Sequence, residues 1–158
     1  MNPTKNDLPA DIRVKLCQFM NERLADLLDL QLQTKQAHWN VKGPQFIALH
    51  ELFDDIAGDL PEHVDTLAER IVALGGTAEG TLAPISSRTK LAPYPLTITS
   101  GKDHVEALST ALAVTGKLVR AAIDHTNELG DADSADLFTG ISRDLDKKLW
   151  FVEAHLQG

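Results

Sequence analysis

The sequence contains one cysteine, Cys17. No internal disulfide can form, which suits a reducing compartment, and the expected role of this thiol is a small buried side chain. No stretch approaches the roughly 18 consecutive apolar residues that a membrane-spanning helix needs. Residues 1–10 lack the apolar run of a signal peptide, so a cytoplasmic location is expected. Basic residues are outnumbered, 15 Lys and Arg against 23 Asp and Glu, and form no run. The formal net charge is −8; such a surface attracts cations and disfavours nucleic acid and anionic membranes. None of the six histidines has a glutamate three positions before it. The Glu-x-x-His pairs that build di-iron sites inside helical bundles are therefore missing.

What is present is helical periodicity. Length fits one domain over residues 1–158, with residues 1–7 as a short flexible tail. Leu16, Phe19, Met20, Leu24, Leu27, Leu28, Gln31 and Leu32 recur as on one helix face, predicting a helix over about 8–40 with Asp7 capping its start. Lys42-Gly43-Pro44 makes a turn. A second helix is predicted over about 45–74, ending at Gly75-Gly76. Residues 77–101 hold three of the seven prolines, Pro84, Pro93 and Pro95, and read as a long crossover. A third helix is expected from Ser100, with Asp103 completing a variant capping box, to about Glu128. Leu129-Gly130-Asp131 breaks it. A fourth follows over about 133–156. Two helices, a long connection and two more helices define an all-α, ferritin-like four-helix bundle.

The second helix carries the candidate chemistry. His50 and Asp54 are spaced i, i+4, as are Asp65 and Glu69. At about 100° per residue, with His50 at zero, Asp54 falls near 40°, Asp65 near 60° and Glu69 near 100°. His63 falls near 220°, on the opposite side. Each i, i+4 pair can share a metal. Asp54 and Asp65 are about 16 Å apart along the axis, so one helix cannot bring both pairs to one ion. An antiparallel second copy can, because a two-fold axis between the pairs sets His50 and Asp54 of one subunit against Asp65 and Glu69 of the other. His38 can add a further nitrogen from the end of the first helix. Imidazole with carboxylate suits Fe(II), and also Zn(II) or Mn(II). Pro61 lies between the two pairs and is expected to kink or locally break the helix. The competing reading of these acids is a solvated helix face.

The segments that carry these residues also resemble a known family. Ala37-His38-Trp39-Asn40-Val41-Lys42-Gly43, His50-Glu51-Leu52-Phe53-Asp54, Asp65-Thr66-Leu67-Ala68-Glu69-Arg70 and Leu74-Gly75-Gly76 are similar to signatures of Dps proteins (DNA-binding proteins from starved cells), the mini-ferritins. So are Ser87-Arg88-Thr89, Tyr94-Pro95-Leu96, Ser142-Arg143-Asp144-Leu145-Asp146-Lys147 and Leu149-Trp150-Phe151. The resemblance implies a homo-dodecameric shell with ferroxidase sites shared across two-fold interfaces. It implies that His38, His50, Asp54, Asp65 and Glu69 bind iron, two ions per site. Fe(II) and hydrogen peroxide are the implied substrates, with ferric mineral stored inside. Trp39 is the implied interceptor of stray oxidants, although interface packing explains it equally well. Asp131, Asp133 and Asp136 are placed around three-fold pores, with Asp133 expected as the helix cap and Asp136 as pore lining. The family name also suggests nucleoid association and DNA compaction. Against direct DNA binding, the N-terminal tail offers only Lys5, beside Asp7, and the chain ends His155-Leu156-Gln157-Gly158. A metal-free helical scaffold is the third alternative.

Overall fold

The computed structural model describes residues 1–157. Among them are five α-helices: α1 (Ala10–Asn40), α2 (Phe46–Ala73), α3 (Leu82–Arg88), α4 (Gly101–Glu128) and α5 (Ala132–Glu153), the last followed by a 3-10 turn, Ala154–Leu156. The long helices pack chiefly as two pairs, α1 along α2 and α4 along α5, with α1 also touching α4. One core runs through all four. Leu16, Met20, Leu24, Leu27 and Leu30 of α1 meet Phe53, Leu60 and Leu67 of α2, Leu108 and Leu112 of α4, and Phe138 and Leu145 of α5. No described helix is long and apolar enough to cross a membrane.

Two of the breaks have the same local cause. After α2, Gly75 takes φ +88°, its N–H bonds Val72 O, and Gly76 N–H bonds Ile71 O. After α4, Gly130 takes φ +81°, its N–H bonds Asn127 O, and Asp131 N–H bonds Thr126 O. Both are Schellman closures, which satisfy carbonyls that a helix end leaves open. At Gly75 a Cβ would lie 2.6 Å from Asn2 O, so both the backbone angle and the space require glycine. That contact belongs to the N-terminal stretch, where Asn2 N–H donates to Gly75 O at 2.7 Å.

Four expectations need correction. Asp7 does not cap α1: Pro9 occupies the N-cap and no side chain caps that end. Asp103 contributes its backbone N–H to Ser100 Oγ, but its carboxylate accepts the Ser100 hydroxyl rather than a backbone N–H. The crossover is not all loop, because α3 forms within it. Pro84 is the third residue of α3, in the first turn, where a missing N–H costs nothing. The local break at Pro61 does not occur either, since α2 is continuous through it. Proline cannot donate to Ala57 O, but Phe53, Ile56 and Leu60 before it and Leu67 and Ile71 after it are buried and hold both halves against the core.

The crossover is tied down by polar side chains on α1. Asn21 donates to Thr77 O and accepts from Glu79 N–H. Asp26, 1% exposed, accepts from Lys90 N–H and from Arg23. Asp29 accepts from the Thr89 hydroxyl, and Gln33 donates to Ala92 O. These groups satisfy the backbone of a connection that lacks regular structure.

Candidate metal centre

The turn after α1 brings the last turn of that helix against the start of α2. There His38 and His50 stack, with ring centroids 3.8 Å apart and planes 22° from parallel. His38 Nδ1 lies 2.8 Å from His50 O, and His50 Nδ1 lies 2.8 Å from His38 O. A carbonyl only accepts, so each Nδ1 must carry the hydrogen. The reciprocal pair therefore fixes both tautomers and leaves both Nε2 atoms with lone pairs. Orienting an imidazole through its other nitrogen is what a metal-binding histidine requires. His38 O is open to accept from His50 because carbonyls in the last turn of a helix have no helical partner.

Asp54 stands beside them, with Oδ1 3.8 Å from His38 Nε2. The same oxygen accepts from Lys35 Nζ at 2.6 Å. That bond, the largest influence, holds the Asp54 carboxyl below the usual carboxylate range, and the nearby imidazoles act in the same direction. Sequence reasoning missed Lys35; its one available signal is its place one turn before His38 on α1. Lys35 both orients Asp54 and competes with a cation for it. With Zn(II) as a probe of these donors, replacing Lys35 by Gln should tighten any binding about five-fold, because the competing ammonium is gone. Calorimetric titration tests this; weaker binding would show that Lys35 mainly positions the carboxylate.

Asp65 and Glu69 are exposed on the later half of α2. One chain does not bring them to the histidines. Among the described residues, no group of three or more His, Cys, Asp or Glu in a single chain is arranged to hold a metal. The candidate ligands thus fall into two separated half-sets, His38–His50–Asp54 and Asp65–Glu69, neither of which is a metal site within one chain. Trp39 is 65% exposed, and Lys35 Nζ lies 5.8 Å from its ring centroid.

His63 points elsewhere, as its angle on the helix requires. Its Nε2 lies 2.6 Å from Asp144 Oδ2. Lys148, almost fully buried, donates to Asp144 at 2.9 Å and to Asp59 at 2.8 Å. Burial alone would raise the Asp144 carboxyl, but the bonds from Lys148 and His63 outweigh it and hold it down. This network joins α2 to α5 in the segment between the half-sets.

The three acids at the start of α5 separate. Asp131, not Asp133, is the cap. It is 3% exposed, accepts from Ser134 N–H at 3.2 Å, binds the Ser134 hydroxyl, and pairs with Arg70 Nη2 at 2.7 Å. Arg70 directly follows Glu69, so this ion pair anchors the later half-set of α2 to α5. Asp133 and Asp136 are exposed and share a groove of about 420 Å³ with Glu62, His63 and Thr66.

Comparison with known proteins agrees with this architecture. A ferritin-like domain model matches residues 17–158. The DNA protection during starvation protein of Agrobacterium fabrum is 53% identical over 154 residues, covering 98% of this chain and 95% of that protein. The chain belongs to the Dps family of ferritin-like proteins. Among solved structures, Dps of Mycobacterium smegmatis superposes with a TM-score of 0.94 at 30% identity, covering 100% of this chain and 95% of that one. Dps from Microbacterium arborescens, solved in the high iron form, gives 0.88 at 33% identity, covering 98% and 99%.

Proposed function

We propose that the chain is an iron-sequestering ferroxidase that oxidises Fe(II) with hydrogen peroxide and stores ferric mineral in a homo-dodecameric shell. The observation that carries this reading is the His38–His50 interlock. It presents two bare Nε2 atoms beside Asp54, with a second acidic pair left exposed on the same helix. Two copies of α2 running antiparallel across a two-fold axis would join His38, His50 and Asp54 of one subunit to Asp65 and Glu69 of the other. Such a site supplies two imidazoles and three carboxylates, enough for two Fe(II) ions. Zn(II) or Mn(II) would fit the same donors.

Two Fe(II) ions each give one electron to one peroxide, yielding two Fe(III) and two hydroxide ions. Pairing the ions keeps the reduction a two-electron event, so no hydroxyl radical leaves the site. Trp39, exposed next to His38, is suited to intercept an oxidant that escapes. Removing Fe(II) and peroxide together would protect DNA in the cytoplasm, including the nucleoid, without contact. The Microbacterium relative solved in a high iron form supports an iron role. An anaerobic Fe(II) titration followed by peroxide tests the reading. The expected result is two Fe(II) bound per site and two oxidised per peroxide; no saturable Fe(II) binding would contradict it.

Direct DNA compaction is the second reading, and the names of the relatives favour it. Charge opposes it. At −8 per chain, twelve copies carry about −96 before bound ions are counted, and phosphate binding needs a cationic surface. No stable gel-shift complex with linear duplex is expected at neutral pH and physiological salt. A tight complex without added divalent metal would overturn that expectation.

Asp133 and Asp136 are proposed as the lining of an iron-uptake pore, since Asp131 is committed to the cap. Asp136→Asn should slow iron uptake by intact shells about ten-fold at limiting Fe(II) and low ionic strength. The ferroxidase site itself should be spared. An unchanged uptake rate would confine these acids to capping and solubility.

A further inference from the structure

Tyr94 is the chain's one tyrosine. It lies in the crossover, half-buried, with its phenol oxygen 2.8 Å from His104 Nδ1 and the two rings 19° from parallel. His104 is 1% exposed, and its Nε2 is buried with no hydrogen-bond partner. A bond serving only to pin the crossover to α4 would not need a buried imidazole, because apolar side chains could pack there without its desolvation cost. The pair sits at the end of α1 that carries His38. Lys42 N–H donates to Thr99 O, Gly101 N–H donates to Lys42 O, and the backbone of Asn40, two residues after His38, lies beside the His104 ring.

We propose that Tyr94 and His104 form a proton-coupled redox relay that holds one oxidising equivalent when peroxide meets a metal site containing a single Fe(II). The proposal rests on the ferroxidase reading above. Alone, one Fe(II) splits peroxide to Fe(III), hydroxide and a hydroxyl radical. Tyr94 gives that radical one electron, reducing it to hydroxide. The phenol O–H bond breaks as the electron leaves, and an N–H bond forms on His104 Nδ1. A second Fe(II) then reduces the tyrosyl radical, and the proton returns from His104 to the phenol oxygen. The sum is two Fe(II) and one peroxide giving two Fe(III) and two hydroxide ions, the stoichiometry of a filled site.

The surroundings suit this exchange. Burial pushes the Tyr94 hydroxyl well above its ordinary range, so it does not ionise before it is oxidised. Burial also lowers His104, outweighing the backbone of Ile98 and Asn40, so the imidazole is neutral and free to accept at neutral pH. Phenol is the better donor and imidazole nitrogen the better acceptor, which sets the bond as O–H to N. Pro95, Leu91, Ala107 and Val114 line the apolar slot of about 200 Å³ that Tyr94 borders, which limits water at the radical.

The test has two arms on the assembled protein. In the first, protein loaded with one Fe(II) per two-ion site is mixed with peroxide and frozen for electron paramagnetic resonance. A tyrosyl signal that narrows with ring-deuterated tyrosine, vanishes in Tyr94→Phe and decays on adding further Fe(II) is expected. The second arm uses no iron: a flash-generated ruthenium(III) tris-bipyridyl oxidises the protein. Tyr94 should give the radical, more slowly in heavy water, and His104→Gln should slow its formation about a hundred-fold, as for loss of a positioned base. Should His104→Gln fail to fold, the heavy-water rate in the unchanged protein decides the same point. An iron-free oxidation indifferent to heavy water and to His104, or a first arm yielding only tryptophan radicals, would overturn the relay. Failure of the parent protein to oxidise Fe(II) at all would instead overturn the ferroxidase reading, while the iron-free arm judges the pair alone.

Discussion

Replacing Asp65 and Glu69 together by alanine should abolish rapid Fe(II) oxidation while leaving a folded helical subunit. Both side chains are exposed on α2, so truncation opens no cavity, and surface changes of this kind cost within about 0.5 kcal/mol. The activity loss should be far larger. Without the acidic pair, the proposed site keeps two imidazoles and Asp54, with Lys35 competing for that carboxylate. A drop of at least about a hundred-fold in the initial rate is expected, in line with the loss of groups that hold and position reactants. Circular dichroism should be unchanged. A double variant that oxidises Fe(II) at the parent rate would show that these acids are only a solvated face.

The second large effect concerns stability. Asp131→Ala removes the cap of α5 and leaves Arg70 facing a site from which its buried partner has gone. Breaking a buried pair from one side costs about 3 kcal/mol or more, and the lost cap adds about 1. For a chain of this size the unfolding midpoint should fall by roughly 8–16 °C. Asp131→Asn keeps a capping oxygen but not the charge, and should lie between the two. A normal midpoint in Asp131→Ala, together with slowed iron uptake, would return Asp131 to the pore.

Much of the fold is legible in the residues because local physics sets it. The α1 stripe from Leu16 to Leu30 repeats at helical spacing, and Gly75 and Gly130 mark ends that only a left-handed residue closes well. Helix α3 is hidden because Pro84 reads as a loop marker when it is in fact a first-turn residue. Asn21, Asp26, Asp29 and Gln33 look like solvent-facing polar positions. Their role depends on a segment some 60 positions away in sequence, as with Gln33 and Ala92. The same holds at the candidate site. Angular spacing on α2 groups His50, Asp54, Asp65 and Glu69, but it cannot reveal that His38 and His50 fix each other's tautomers. That requires two helix ends to meet. Lys35 and Arg70 escape notice for a related reason: each matters through the acid it touches, and neither acid is near it in sequence. The cap at Asp131 rather than Asp133 turns on where the Schellman closure ends, a shift of two residues.

The central claim is that the iron site is assembled from two subunits, and mixed shells test it most directly. A chain with His38→Ala and His50→Ala lacks one half-set, and a chain with Asp65→Ala and Glu69→Ala lacks the other. Each alone should be inactive. Unfolded together and reassembled, they should form some two-fold interfaces in which one of the two sites has a full donor set, while the other lacks all four. Random pairing makes half of the interfaces mixed, so about a quarter of all sites should be intact. Recovery of roughly a quarter of the parent initial rate is the predicted result. No recovery from well-formed mixed shells would contradict the account, because it would mean that all the ligands act within one chain.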